Sequence, residues 1–210
     1  PERGRAAAVC NYQALALDLV ALGISVNCAP VLDVPAISAH DIIGNRAFGA
    51  EPEVVAELGA ALLEGFAHAG VVGVIKHIPG HGCATMDSHF KMPRVNLSYK
   101  NLNSIKFERI EGCDNLFLLG DIGYAYSDIY HEFINYCASN WVNVFVIFGN
   151  HEYYCQPNNI KTMEEIEREV LKFKENVYFL NNDHVLLNKH DNTVKKLLER
   201  EDHFNDYVKI

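Results

Sequence analysis

Two clusters of residues carry side chains able to move protons or hold oxygen-rich ligands. The first is Lys76-His77-Ile78-Pro79-Gly80-His81-Gly82, followed five residues later by Asp87-Ser88-His89. An Asp two residues before a His can accept the imidazole N–H. It then holds the ring and raises its basicity, which suits His89 to acid/base work near neutral pH. Lys76 and His77 directly follow the apolar segment Val71–Ile75. They are expected at a strand end, in reach of the hydroxyls of a polar ligand. The second cluster pairs Gly120-Asp121 with Gly149-Asn150-His151-Glu152, each after an apolar run. Asp121 and Asn150 offer oxygen ligands to hard or borderline divalent ions. His151 stands beside them, placed to protonate a leaving oxygen. Taken singly, each pattern also suits a Gly-containing turn with solvated His or capping Asp and Asn. Six fixed letters in the first cluster, and repetition at consecutive strand ends in the second, argue for chemistry.

The elements that must position these residues follow from periodicity and stop signals. Residues 5–22 carry Ala, Leu and Val at helical spacing, with Gly23 as the stop. Ile24–Cys28 reads as a strand ended by Ala29-Pro30, and residues 31–50 as a loop. Glu51-Pro52-Glu53 opens a helix to about Ala69, since Pro suits the first turn and acidic groups its positive end. Val71–Ile75 is a buried-type strand. Further on, Asn115–Leu119, Val144–Phe148 and Val177–Leu180 are expected strands. Helices are expected over 128–140 and 163–175, and a polar helical tail over 192–209. Strands alternating with helices indicate a parallel α/β class, in which functional groups gather beyond the strand C-termini.

Composition changes midway. Residues 1–94 hold 17 Ala, 10 Gly, 3 Asn and 4 aromatics, whereas residues 95–210 hold 2 Ala, 4 Gly, 16 Asn and 18 aromatics. This divides the chain into segments 1–94 and 95–210, joined near Arg94–Leu97, and suggests two sources. A net charge of −9 without a Lys/Arg block argues against a nucleic-acid or anionic-membrane surface. No apolar run reaches the length that spans a bilayer. The basic opening residues begin an amphipathic stretch and are not expected to be a signal peptide. Six cysteines without a Cys-x-x-Cys pair read as reduced thiols of a cytoplasmic protein.

The first segment resembles the β-N-acetylhexosaminidases of glycoside hydrolase family 3. The likeness runs through Ala29-Pro30-Val31-Leu32-Asp33-Val34, Asn45-Arg46-Ala47-Phe48, Lys76–Gly82 and Asp87-Ser88-His89. It implies a (β/α)8-type barrel and retaining cleavage of N-acetylglucosamine in cell-wall recycling, with no cofactor. His89 becomes the general acid/base, Asp87 its orienting partner, and Arg46, Lys76 and His77 sugar contacts. The family's nucleophile is an Asp at a later strand end, and nothing after His89 resembles that segment. About 94 residues also supply too few strands to close a barrel.

The second segment resembles the calcineurin-like metallophosphoesterases through Asn115–Tyr126, Val144–Tyr154 and Asn176–Asn181. By this likeness Asp121 bridges two metals, Asn150 binds the second, and His151 is the catalytic His. The family's Asp-x-His and Gly-His loops are not matched, so at most one weakly bound divalent ion (Mn, Fe or Zn) is expected. The expected architecture is a partial (β/α)8-barrel fragment followed by a partial metallophosphoesterase α/β sandwich fragment. The favoured function is a composite of two truncated hydrolase domains without a complete active site. The alternatives are a phosphoesterase, an N-acetylglucosaminidase or a non-catalytic scaffold. The expected partner is a small molecule, an amino sugar or a phosphoester.

Overall fold

The computed structural model describes residues 2–37, 39–78, 80–87, 109, 111–154, 160–170, 172–181, 185–188, 190–196 and 207–209. The chain forms two compact units, residues 1–106 and 107–210. Both are mixed α/β with parallel strand pairing.

In the first unit, α1 (Glu2–Ala21) packs on α2 (Pro52–Ala69). Small residues allow the close approach. A Cβ on Gly65 would lie 2.6 Å from the Val9 carbonyl oxygen and 2.8 Å from the Gln13 nitrogen, so only glycine fits this crossing. Ala16, Leu62, Phe66 and Val71 form the small core beside it. Arg5 Nη2 to Glu64 Oε2, 2.6 Å, ties the outer ends of the two helices.

Strands β1 (Val26–Asn27) and β2 (Val72–Gly73) pair in parallel with Val26 opposite Val72. They are shorter than the expected Ile24–Cys28 and Val71–Ile75. Pro30 has no N–H to donate, which breaks the ladder. Pairing then resumes: the Lys76 N–H donates to the Pro30 carbonyl at 3.0 Å, and the Leu32 N–H to the Lys76 carbonyl at 2.6 Å. The two chain segments therefore run side by side up to Asp33 and His77.

In the second unit, β3 (Asn115–Leu119), β4 (Asn143–Ile147) and β5 (Val177–Phe179) form a parallel sheet in that order. The register stacks Phe117 on Phe145 and Phe145 on Tyr178, with ring centroids 4.8 and 5.3 Å apart. Helix α3 (Asp128–Asn140) starts at Ser127, whose hydroxyl accepts the Tyr130 N–H at 3.2 Å. It lays Tyr130, Ile134 and Cys137 on Val144 and Val146. Helix α4 (Met163–Val170) ends earlier than the expected 175 and buries Ile166 in the same cluster.

Of the expected polar helix over 192–209, the described residues 194–196 and 207–209 are strands. An antiparallel sheet stands there, with β6 (Val185–Asn188) between β7 (Val194–Lys196) and β8 (Tyr207–Lys209). Central strand β4 is buried on both faces, and α3 covers only one. Phe145 on the other face packs with Leu180 and Val185, with Leu187 and Val194 against them. A β-ribbon presents such residues at period two, which a helix does not.

Among the described residues no helix is long and apolar enough to cross a membrane. Cys10, Cys28, Cys83, Cys113 and Cys137 are free thiols, and burial pushes the Cys137 thiol up to about 12.

Candidate functional site

The first site grows from the parallel segments that end at Asp33 and His77. Asp33 is 2% exposed, and its carboxylate is fully engaged. Oδ2 lies 2.6 Å from His77 Nδ1 and accepts the His77 N–H at 3.3 Å. Oδ1 accepts the His81 N–H at 2.5 Å and the Gly82 N–H at 3.1 Å. Burial pushes the Asp33 carboxyl up, but the His77 ring and these backbone N–H groups outweigh it, so it sits below the usual carboxylate range. The anion thereby pins the Gly80–Gly82 turn and the His77 ring to one point.

His77 keeps 39% of its side chain exposed, so its far edge faces outward. The His81 ring stands edge-on to it at 6.1 Å, and both His81 ring nitrogens are sealed from solvent without a partner among the described residues. Lys76, half-buried, is adjacent in the strand. Arg46 sits on the exposed turn Gly44–Arg46. Its Nη2 donates to the Ile42 carbonyl at 2.7 Å and its Nε to the Ile43 carbonyl at 3.3 Å, so its own turn holds it. Asp87 is half-buried at the end of a described loop, and His89 lies outside the described residues, as does the Arg94–Leu97 join.

The second site lies at the C-terminal ends of β3 and β4. Gly120 and Asp121 both take left-handed backbone, with φ of 85° and 59°. A Cβ on Gly120 would lie 2.6 Å from the Gly149 nitrogen, so the two loops meet backbone to backbone. The sharp turn aims successive N–H groups at one point, an anion-binding nest. Glu152, fully buried, fills it. Its Oε1 accepts from Ile122 N at 2.6 Å and Gly123 N at 3.4 Å; its Oε2 accepts from Asp121 N at 2.9 Å and Gly149 N at 2.8 Å.

Asp121 and Asn150 are exposed on the rim above this nest. Asp121 Oδ1 accepts the His151 N–H at 3.0 Å, which joins Asp121 to the Asn150-His151 loop. Asn150 Nδ2 donates to the Tyr154 hydroxyl at 2.5 Å, and the His151 ring stacks on Tyr154 at 4.8 Å. Among the described residues no three His, Cys, Asp or Glu side chains gather to hold a metal ion. Among the described residues this rim offers the oxygen donors Asp121 and Asn150, fewer than a two-metal centre uses.

Two residues that organise these sites, Asp33 and Glu152, are not among the candidates read from the sequence. Glu152 stands three residues after Gly149 at a strand end, whereas Asp33 follows an apolar run with no glycine near it in sequence. For Glu152 the available signal was that position, an acid beside a glycine turn whose free N–H groups need an acceptor; for Asp33 the sequence offered no such signal.

The family model described as the glycosyl hydrolase family 3 N terminal domain matches residues 8–109, past the expected boundary at 94. Beta-hexosaminidase A of Pseudoalteromonas piscicida is 39% identical over 103 residues, 49% of this chain and 17% of that protein. The beta-hexosaminidase of Thioalkalivibrio sulfidiphilus is 44% identical over 91 residues, 43% of this chain and 26% of that protein. Among solved structures, NagZ from Neisseria gonorrhoeae in complex with N-trifluoroacetyl-D-glucosamine shares 38% identity. That likeness covers 49% of this chain and 30% of that one, at a TM-score of 0.44. The chain thus spans less than a third of the length of each of these relatives. About half of the chain, its N-terminal segment, matches a family 3 β-hexosaminidase fragment.

Proposed function

We propose that the first unit carries the amino-sugar-recognition part of a β-N-acetylhexosaminidase site, in a chain that joins two incomplete hydrolase units. The observation that carries this reading is the strand-end pair Lys76-His77, with the His77 ring locked by Asp33 and its outer edge open. An imidazole held in place at a strand end binds hydroxyls without first losing side-chain freedom, and the neighbouring Lys76 adds a cation. The similarity of residues 8–109 to β-hexosaminidases points to N-acetylglucosamine as the sugar. Asp87 and His89 would act as the acid/base pair, and Arg46 as a further sugar contact once released from its turn.

The test is a titration of the full chain with N-acetylglucosamine, followed by NMR of the histidine ring signals. Saturable shifts with a Kd of about 1 mM are expected, as for a small ligand making a few polar contacts. Lys76→Ala should weaken binding about tenfold, the worth of one charge-assisted hydrogen bond. Absence of saturable shifts, or binding indifferent to Lys76→Ala, would refute the reading.

A second reading concerns the rim of Asp121, Asn150 and His151, and the His151 N–H to Asp121 bond favours it because it unites two loops. This rim is the remnant of a phosphoester-binding site that holds at most one divalent ion, weakly, through Asp121 and Asn150. No reaction step is assigned to that ion. Elemental analysis after incubation with Mn or Zn and buffer exchange should find less than one ion per chain. Two retained ions would show that other groups complete the centre.

A further inference from the structure

We infer that Asp33 is a positioning residue that sets the tautomer of His77 and so makes its outward nitrogen a hydrogen-bond acceptor for a sugar hydroxyl. The inference rests on the amino-sugar reading above and goes beyond it by assigning the direction of the hydrogen bond. It follows from counting donors. Asp33 is ionised and therefore acceptor-only. The His81 and Gly82 N–H groups are fixed backbone donors, and they occupy Oδ1. Oδ2 faces the His77 ring at 2.6 Å, so Nδ1 must carry the proton in that contact. In the neutral ring the proton cannot also be on Nε2. The exposed nitrogen then has a lone pair and no hydrogen, and it accepts from a hydroxyl. The adjacent Lys76 ammonium is donor-only. His77 thus carries an acceptor and its sequence neighbour Lys76 only donors, and the hydroxyls of a sugar ring, each able to donate and accept, can meet either.

The same count predicts what Asp33→Asn does. The side-chain amide has one oxygen and one NH2. Two rigid N–H groups on the Oδ1 side, at 2.5 and 3.1 Å, outweigh the single and longer His77 N–H on the Oδ2 side and set the oxygen at Oδ1, so the NH2 faces His77. Nδ1 can meet an NH2 only by giving up its own proton and accepting. The ring therefore switches tautomer, and Nε2 changes from acceptor to donor. The volume of residue 33 is unchanged, so the packing around it is conserved.

The experiment uses the full chain with 15N-labelled histidine, with the His77 ring identified by the signals lost in His77→Gln. In the wild type at a pH where the ring is neutral, the proton is expected on Nδ1. In Asp33→Asn it is expected on Nε2. Asp33→Glu, which restores an acceptor-only group, should return the Nδ1 proton. A wild-type proton on Nε2 overturns the inference without any variant, and so covers the case in which Asp33→Asn does not fold. An unchanged tautomer in a folded Asp33→Asn chain overturns it as well. A switch of tautomer with no sugar binding in any form supports the role of Asp33 and refutes the amino-sugar reading instead.

Discussion

Glu152→Ala will lower the unfolding free energy of the second unit by about 4 kcal/mol. The measurement is urea unfolding followed by the fluorescence of Trp141, the single tryptophan, which lies in that unit. The carboxylate is fully buried and accepts N–H groups from Asp121, Ile122, Gly123 and Gly149. Truncation leaves all four donors without an acceptor, each costing about 1–3 kcal/mol where water cannot reach. Gly120 and Asp121 hold left-handed backbone, a conformation the nest enforces and a non-glycine residue such as Asp121 adopts at a cost. Burial and the Glu152 charge both push the Tyr130 hydroxyl up, which records how near that charge lies to the core. Glu152→Gln should lose about half as much, because one of its two polar atoms is a donor facing donors. Glu132→Ala, at an exposed carboxylate on α3, should change stability by less than about 0.5 kcal/mol. A Glu152→Ala loss below about 1 kcal/mol would mean that water replaces the carboxylate and that the loops hold themselves.

Two strands of the second unit were legible because their apolar runs end at Gly-Asp and Gly-Asn. The helix over 128–140 was expected from its periodicity, while the Ser127 cap that starts it was not named. What covers the far face of β4 was not legible. Val185–Asn188 is a short run in polar company, and its strand character comes from Phe145 and Leu180, distant in sequence. Asparagine richness had looked only like a mark of origin. Part of it is structural. Asn143 Nδ2 donates to Asn115 Oδ1 and to the Asn192 carbonyl, each at 2.8 Å, while Asn192 Nδ2 donates to Asp114 Oδ2 at 2.8 Å. This network sews the starts of β3 and β4 to the turn before β7. In the first unit the helices were legible and the strand lengths were not, since Pro30 interrupts a ladder whose continuation depends on Lys76. Lys76 and His77 were found at the strand end where they were expected. The carboxylates that organise both sites stood inside the quoted motifs but were given no role, because a buried acceptor is defined by the N–H groups around it. Those are backbone atoms, carried by every residue except proline.

The full chain is expected to bind N-acetylglucosamine and not to cleave it. Hydrolysis of a chromogenic N-acetylglucosaminide should be indistinguishable from buffer, a deficit of about 10⁶-fold or more against a complete enzyme. Retaining cleavage needs a carboxylate free to attack the anomeric carbon, opposite a group that protonates the leaving oxygen. The buried carboxylate beside His77 is Asp33, and it cannot serve. Its lone pairs are taken by the His77 ring and by the N–H groups of His77, His81 and Gly82, and it is 2% exposed. An attacking carboxylate would have to shed these bonds and leave a cluster of buried donors unpaired. Asp87 stands two residues before His89 in sequence, which suits it to orienting that ring and not to attacking from the opposite face. The family's nucleophile segment has no counterpart after His89. Binding measured on the same preparation separates a missing nucleophile from a misfolded site: a chain that binds the sugar and does not turn it over is folded and lacks the attacking group. Turnover above buffer that His89→Ala abolishes would show that a carboxylate elsewhere in the 210 residues performs the attack, and the incomplete-site reading would have to be abandoned.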